Sequence, residues 1–283
     1  MTETVPDLTT TTTTTSTIPG AKAFIFDMDG VLYRGATALP GVEALFNALS
    51  LREIPFLLAT NNSMATPASY VLRMAAMGVE VDESQIQTSA TVTRDYLLTK
   101  IPPDARLLIV GMPPLGEQIF AGTNFQPVGD DPDEHVDAVV VGLDLDFTYA
   151  RLRRASDAIR DGARYVATNA DATLPHESGM QPGAGSIVAA ISAAGGKTPV
   201  VVGKPETLMM MKGIEQLGVL PREAVMVGDR LDTDILSGHR AGLQTALVLT
   251  GVSQREHLAV ADVLPDYVFA DLPALTQAIV GHG

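Results

Sequence analysis

Phe24-Ile-Phe-Asp-Met-Asp-Gly-Val-Leu-Tyr33 is the stretch that decides the fold of this 283-residue chain. Residues 22–26 form a short apolar run of the kind that fills a buried parallel strand. The carboxylates of Asp27 and Asp29 follow at once, and the carboxyl ends of strands are where open α/β sheets bind ligands. Two carboxylates this close repel each other unless a cation lies between them. Asp-Met-Asp-Gly is also good turn chemistry, so the stretch alone leaves a solvated turn and a ligand site open.

The composition narrows the class of protein. The chain is 46% hydrophobic and only 5% aromatic, which suits a sheet packed with aliphatic side chains in one large α/β domain or two domains. Its formal net charge of −14 opposes binding to nucleic-acid backbones and anionic membranes, while a small phosphorylated ligand remains compatible with it. The absence of Cys excludes disulfides, thiolate metal ligands and Cys nucleophiles.

The N-terminus and the length of the apolar runs are used to predict where in the cell the protein is found. We find no basic stretch followed by an apolar one at the N-terminus, and no apolar run near the roughly 20 residues that a membrane span needs. We therefore expect a cytoplasmic protein with no membrane partner. Residues 1–17 are rich in Thr and offer nothing to bury, which predicts a disordered tail.

Apolar strand-like runs alternate with helical patterns after the tail, and this order predicts βαβ units and a parallel sheet. The predicted strands are residues 23–26, 56–59, 107–110, 138–141, 165–167, 200–202, 225–227, 245–249 and 267–269. The predicted helices include residues 42–51, 67–77, 149–160, 186–194, 206–217 and 232–241. Pro and Gly cluster near residue 101, and a smaller α/β unit of its own fits residues 101–203.

Two further strand ends carry groups that suit a phosphate. Thr60-Asn-Asn-Ser63 follows an apolar run and precedes a predicted helix, where hydroxyl and amide donors suit a phosphate oxygen. Lys204 lies between a predicted strand and a helix start, where the helix macrodipole disfavours a cation unless an anion offsets it. Taken singly, a capping turn is the better explanation of the first group and a surface lysine of the second.

A fourth strand end supplies more carboxylates. Val225-Met-Val-Gly228 leads directly into Asp229, and Asp234 follows five residues later. Carboxylate oxygens without His or Cys favour Mg²⁺ over zinc. The four strand ends together carry carboxylates, one lysine and a group of hydrogen-bond donors. These are the groups that phosphoryl transfer uses, since a carboxylate attacks phosphorus and cations neutralise the phosphoryl oxygens.

These residues resemble the motifs of the haloacid dehalogenase (HAD) superfamily. Asp27-Met-Asp-Gly-Val31 is similar to its first motif, Thr60 to its second, Lys204 to its third and Gly228-Asp-Arg-Leu-Asp-Thr-Asp234 to its fourth. Further matches resemble the class IIA, NagD-like branch, which includes p-nitrophenylphosphatase-type enzymes: Ala59-Thr-Asn-Asn-Ser63, Val141-Gly-Leu-Asp144 with Phe147-Thr-Tyr149, Ala167-Thr-Asn-Ala-Asp171, Pro182-Gly-Ala-Gly-Ser186 and Val202-Gly-Lys-Pro205. The resemblance spans roughly residues 20–280.

The resemblance implies a fold and a role for each motif residue. It implies an α/β fold, a Rossmann-like parallel-sheet HAD core over residues 18–100 and 204–281, with an inserted smaller α/β cap domain over residues 101–203. Asp27 would be the nucleophile and Asp29 the general acid and base. Mg²⁺ would be held by Asp27, the backbone carbonyl of Asp29 and Asp229, with Asp234 nearby. Thr60, Asn61 and Lys204 would bind the phosphoryl group.

The cap of this branch covers the site and selects the substrate. Asn169, Asp171 and His176 are the candidates for that role here, although polar residues after a strand are also ordinary turn chemistry. Dimers through the cap occur in the branch, which favours a homodimer.

The sequence thus predicts a Mg²⁺-dependent phosphatase of small phosphorylated metabolites. The resemblance favours sugar or polyol phosphates, such as glycerol phosphate or phosphoglycolate, with p-nitrophenyl phosphate as an artificial substrate. A nucleoside-monophosphate phosphatase is the alternative among enzymes. A phosphomutase would have to exclude water from the aspartyl-phosphate, and no sequence feature indicates how. A non-catalytic binding protein is the alternative from another class, and it should lack one of the motif carboxylates.

Overall fold

The structure is a computed structural model that describes residues 17–129, 131, 133–176 and 179–281, with the backbone alone at residues 175 and 176. Residues 1–16 of the predicted tail lie outside the described residues.

The described residues form strands with the following bounds: β1 (Ala23–Phe26), β2 (Tyr33–Arg34), β3 (Thr37–Ala38), β4 (Phe56–Thr60), β5 (Ile86–Thr88), β6 (Arg106–Val110), β7 (Gln126–Val128), β8 (Ala138–Val141), β9 (Arg164–Ala167), β10 (Thr173–His176), β11 (Gly179–Pro182), β12 (Val200–Val201), β13 (Ala224–Gly228), β14 (Gln244–Val248) and β15 (Tyr267–Phe269). They form α-helices with these bounds: α1 (Val42–Leu51), α2 (Pro67–Ala76), α3 (Ser89–Leu98), α4 (Pro113–Phe120), α5 (Tyr149–Arg160), α6 (Ala184–Gly195), α7 (Leu208–Leu217), α8 (Leu236–Arg240) and α9 (Leu272–Val280). None of the described helices is both long and apolar enough to cross a membrane.

The first of two compact units comprises the chain up to Phe56 and from Leu217 onward. Its strands lie parallel in the order β15-β14-β13-β1, and Phe26 at the end of β1 pairs with Val227 of β13. All four residues of β1 and all five of β13 are buried. Because the two strands end side by side, the residues that follow them share one edge of the sheet.

The second unit, Leu57–Gln216, contains the parallel pair β4–β5 and a parallel five-stranded sheet in the order β12-β9-β8-β6-β7. Helices α5 and α6 contribute to the apolar core that covers one face of that sheet. β10 and β11 form an antiparallel hairpin beside it. The five-stranded sheet falls between residues 106 and 201, inside the range predicted for the cap.

Most predicted elements are present, with ends that shift by one or two residues. β1, β8, β15, α1 and α5 have the predicted bounds. The last predicted helix, residues 232–241, is instead a π-helical turn at Leu231–Ile235 followed by the short α8. The sequence pattern did not predict the strands β5 and β7, the helices α3, α4 and α9, or the hairpins β2–β3 and β10–β11. The predicted domain limits at residues 101 and 203 stay a prediction.

Candidate functional site

Three carboxylates meet in the first unit. Asp27 follows β1, and its backbone N–H donates to the Val227 carbonyl at 2.8 Å, which continues the β1–β13 pairing beyond the strand. Asp229 follows β13, and Asp234 comes from the π-helical turn after it. One carboxylate oxygen from each of the three lies within 4.8 Å of the others.

The loop after β13 is built around Asp234. Its Oδ2 accepts the backbone N–H groups of Asp229 at 3.2 Å and Arg230 at 3.1 Å. A Cβ atom on Gly228 would lie 2.1 Å from the Asp234 Cβ, so only glycine allows this approach. Asp234 therefore fixes the backbone on which Asp229 is carried.

Neighbouring loops hold the Asp229 side chain in turn. Its Oδ2 accepts the Val252 N–H at 2.7 Å, and its backbone carbonyl accepts the Ser253 N–H at 2.9 Å. Cβ atoms on Gly30 and Gly251 would lie 2.5 and 1.8 Å from Asp229 Oδ2. Gly30 also has a φ of +83°, which L side chains rarely adopt. Both glycines are thus required for Asp229 to reach its place.

The donor set fits Mg²⁺. Asp27 is 8% exposed, Asp229 2% and Asp234 1%, so three like charges are gathered away from solvent. Such charges repel and favour protonation unless a cation offsets them. Hard carboxylate oxygens, with neither imidazole nor thiolate among them, are the ligands that Mg²⁺ takes in proteins.

The remaining acids of the two motifs lie at the surface. Asp29 is exposed at the turn after β1, where Gly30 N–H donates to the Tyr33 carbonyl at 2.8 Å. An exposed position allows Asp29 to exchange a proton with substrate or water. Asp232 pairs with Arg230 through bonds of 3.0 and 2.8 Å, and this hydrogen bonding holds the pKa of the Asp232 carboxyl below its usual range. Asp232 therefore stays ionised outside the cluster.

A second group of predicted residues meets in the second unit. Thr60 ends β4 and is buried, with its hydroxyl accepting the Asn62 N–H at 3.1 Å. Lys204 follows β12, is 2% exposed, and donates from Nζ to the Ala59 carbonyl at 3.1 Å. Asn61 directly follows Thr60 in the sequence, and its side-chain Oδ1 accepts the backbone N–H of Lys204 at 2.8 Å. The structure thus brings Thr60, Asn61 and Lys204 together, and their predicted role in binding phosphate stays a prediction.

Two of the three candidate substrate-selecting residues contact this group. Asn169 donates from Nδ2 to the Asn61 carbonyl at 2.9 Å, and Asp171 Oδ2 accepts from Asn61 Nδ2 at 3.0 Å. The backbone of His176 ends β10, and its side chain lies outside what the structure describes.

The loop after β14 also contributes to the site, and it was not predicted from the sequence. Thr250 donates its hydroxyl to the Gly30 carbonyl at 2.7 Å, and Gly251, Val252 and Ser253 contact Asp229 as described above. A signal was present, since Thr250-Gly-Val-Ser253 follows a predicted strand just as the other clusters do. The segment carries no charged side chain, and for that reason it did not stand out as a site.

Comparison with known proteins agrees with this arrangement of strand-end residues. Residues 24–126 match the family model described as haloacid dehalogenase-like hydrolase, and residues 201–275 match one described as HAD-hydrolase-like. An acid sugar phosphatase from Staphylococcus epidermidis is 37% identical over 251 residues, covering 89% of this chain and 95% of the relative. The chain belongs to the haloacid dehalogenase-like hydrolases.

Similar solved structures indicate the branch of this family to which the chain belongs. A 4-nitrophenylphosphatase from Thermotoga maritima is 36% identical with a TM-score of 0.85, covering 92% of this chain and 98% of that one. A glycerol phosphate phosphatase from Mycobacterium tuberculosis, solved in complex with magnesium, is 34% identical with a TM-score of 0.82, covering 90% and 76%. The predicted class IIA, NagD-like branch and the predicted fold, a Rossmann-like core with an inserted cap, are confirmed.

The chain is accordingly a phosphomonoesterase of the HAD type. The alternative of a non-catalytic binding protein is excluded, because the relatives of this chain are phosphatases and because the chain has each predicted motif carboxylate. The homodimer through the cap and the cytoplasmic location stay predictions.

Proposed function

We propose that this protein is a Mg²⁺-dependent phosphatase of small phosphorylated metabolites that works through an aspartyl-phosphate. The observation that carries the proposal is the cluster of Asp27, Asp229 and Asp234, whose carboxylate oxygens lie within 4.8 Å of one another. Mg²⁺ would be held by Asp27, the backbone carbonyl of Asp29 and Asp229, with Asp234 supporting the loop. When bound, the ion would neutralise charge on the carboxylates and on the phosphoryl oxygens.

The chemical steps fall to the two acids after β1. An Asp27 oxygen bonds to phosphorus while the bond from phosphorus to the leaving oxygen breaks, and Asp29 gives its proton to that oxygen. Asp29 then takes a proton from water, whose oxygen attacks phosphorus and releases the Asp27 carboxylate and inorganic phosphate. The exposed position of Asp29 supports a role in proton transfer, whereas buried Asp27 supports a role as nucleophile.

Residues of the second unit would bind the phosphoryl group. We propose that Thr60 donates its hydroxyl to a phosphoryl oxygen and that the Lys204 ammonium neutralises the charge that spreads over these oxygens in the transition state. Asn61 joins them. A buried lysine is costly unless it has charged or polar partners, and a bound phosphoryl dianion would be one.

The substrate class rests on the relatives. One is named an acid sugar phosphatase and another a glycerol phosphate phosphatase, so we propose sugar and polyol phosphates, with phosphoglycolate as a further candidate. A nucleoside-monophosphate phosphatase is the alternative. A panel of phosphorylated metabolites separates the two, and higher kcat/KM for nucleoside monophosphates than for sugar and polyol phosphates would contradict our choice.

Metal removal is expected to stop turnover. Chelation should abolish hydrolysis of p-nitrophenyl phosphate, and added Mg²⁺ should restore it, because the clustered carboxylates repel one another and the phosphoryl group unless a cation lies between them. Asp229→Asn removes one charged ligand, and we expect the Mg²⁺ concentration for half-maximal rate to rise about tenfold or more. Asp232→Asn is the matched control, since this acid lies outside the cluster. Unchanged activity in chelator would contradict the metal requirement.

Of the three cap candidates Asn169, Asp171 and His176, we propose that His176 carries substrate selection. Of the three, His176 allows the cleanest test, because Asn169 and Asp171 also bond to Asn61. We expect His176→Ala to change the ratio of kcat/KM for glycerol phosphate to that for p-nitrophenyl phosphate by about tenfold. His135→Ala, an exposed His that pairs with Asp137, should leave the ratio unchanged. An unmoved ratio in His176→Ala would remove His176 from the proposal.

A further inference from the structure

Asn61 makes more hydrogen bonds to other loops than its predicted contact with phosphate accounts for. We propose that Asn61 is a positioning residue, which sets the place of Lys204 and is itself oriented by Asp171. The inference rests on the proposed function of Lys204 as the cation that neutralises the phosphoryl group. If Asp171 orients Asn61, substitution of Asp171 should lower kcat for every substrate.

The side-chain amide of Asn61 binds both sides of the Lys204 backbone. Oδ1 accepts the Lys204 N–H at 2.8 Å, and Nδ2 donates to the Lys204 carbonyl at 2.8 Å. Such a pair of bonds reproduces the pairing of one strand with another, although the two residues are 143 positions apart. The backbone of Lys204 therefore cannot shift without breaking a bond to Asn61.

Asp171 fixes which end of the amide faces which atom. A carboxylate only accepts hydrogen bonds, so Asp171 Oδ2, at 3.0 Å, requires a nitrogen at its partner position. With Nδ2 held there, Oδ1 is left facing the Lys204 N–H, which is the one arrangement that satisfies all three groups. The orientation of the amide is thus set by the network.

The Asn61 backbone is held as firmly as its side chain. Its carbonyl accepts from Ser89 Oγ at 2.7 Å and from Asn169 Nδ2 at 2.9 Å. On the other side, a Cβ atom on Gly203 would lie 2.5 Å from Asn61 Oδ1 and from the Thr168 carbonyl. Glycine just before Lys204 is therefore needed for the amide to reach the backbone.

This placement predicts which kinetic parameter Asn61 controls. Lys204 would act on the phosphoryl group, which is common to all substrates, and not on the leaving group. A displaced Lys204 should therefore lower kcat by the same factor for each substrate. A substrate-selecting residue would instead change the order of substrates.

The experiment compares the same isosteric substitution at two asparagines. Asn61→Asp removes both donors of the amide and places a carboxylate against the Lys204 carbonyl and Asp171; we expect kcat to fall about 100-fold, as for a group displaced by roughly 1 Å. Asn47→Asp adds the same charge at an exposed position of α1, outside the proposed phosphate-binding loop. We expect its kcat to stay within roughly threefold of the wild type.

The readout is kcat on p-nitrophenyl phosphate, glycerol phosphate and phosphoglycolate, with the melting temperature measured for each variant. Asp171→Ala provides a second variant if Asn61→Asp does not fold, and we expect about a tenfold loss of kcat with the order of substrates unchanged. Equal losses across substrates support the inference. A kcat within threefold of the wild type for Asn61→Asp, or a changed order of substrates, would overturn it. Activity retained in Asp27→Asn would instead overturn the proposed function, so the two failures are distinguishable.

Discussion

Asp27→Asn should lose turnover of p-nitrophenyl phosphate by about 10⁴-fold or more, the scale seen when a nucleophile is removed. The substitution keeps the size of the side chain, and the backbone bond from residue 27 to the Val227 carbonyl remains. The amide oxygen, however, is a poor nucleophile and carries no charge for a metal ion. We therefore expect a folded protein without activity, measured by steady-state kinetics beside a thermal melt.

Asp232→Asn serves as the control for this change. It replaces an acid by an amide in the fourth motif, at an exposed position outside the cluster. We expect its activity to remain within roughly threefold of the wild type. Wild-type turnover in a folded Asp27→Asn protein would exclude Asp27 as the nucleophile.

Asp29→Asn should have the second-largest effect, and the effect should depend on the leaving group. Glycerol leaves as an alkoxide that must be protonated, whereas p-nitrophenolate is stable without a proton. We expect kcat/KM for glycerol phosphate to fall about 10³-fold, within the range of general acid catalysis, and that for p-nitrophenyl phosphate to fall only about tenfold. The comparison uses kcat/KM because the later attack by water involves Asp29 whichever substrate is used.

The two substrates provide the control within one variant. Residual metal loss or misfolding would lower both values by the same factor, while loss of the general acid lowers them unequally. Equal losses for glycerol phosphate and p-nitrophenyl phosphate would contradict the role of Asp29 in protonating the leaving group.

The strongest apolar runs could be predicted from the sequence, and the weaker elements could not. β1 and β8 are buried at all four positions, so their composition shows them directly. β5 has only three residues, and α3 begins Ser89-Ala-Thr-Val-Thr93, which has low helix propensity. The Thr88 hydroxyl, which accepts the Thr91 N–H, provides the cap that lets α3 begin there. α4 begins with Pro113 and Pro114; a proline pair is typical of a break between elements, although proline is also favoured at the first turn of a helix.

In the candidate site, too, some contacts could be predicted from the sequence and others could not. Asp27, Asp229 and Asp234 could be placed together because each comes at or soon after the end of a predicted strand of a parallel sheet. The bonds between Asn61 and Lys204 could not be predicted, since they join residues 143 positions apart through backbone atoms that every residue type has. Sequence patterns report side-chain chemistry, whereas this contact depends on how closely two loops approach.

If the reaction passes through a phosphoryl group bound to Asp27, as we propose, that group can be trapped. Enzyme mixed with Mg²⁺ and p-nitrophenyl phosphate is quenched in acid, digested and mapped by mass spectrometry, with Asp27→Asn as the blank. We predict one added phosphoryl group on the peptide that contains Asp27. After borohydride reduction, we predict that residue 27 is found as homoserine. A rapidly quenched, active enzyme that carries no phosphoryl group on Asp27, or carries it on another residue, would contradict the account.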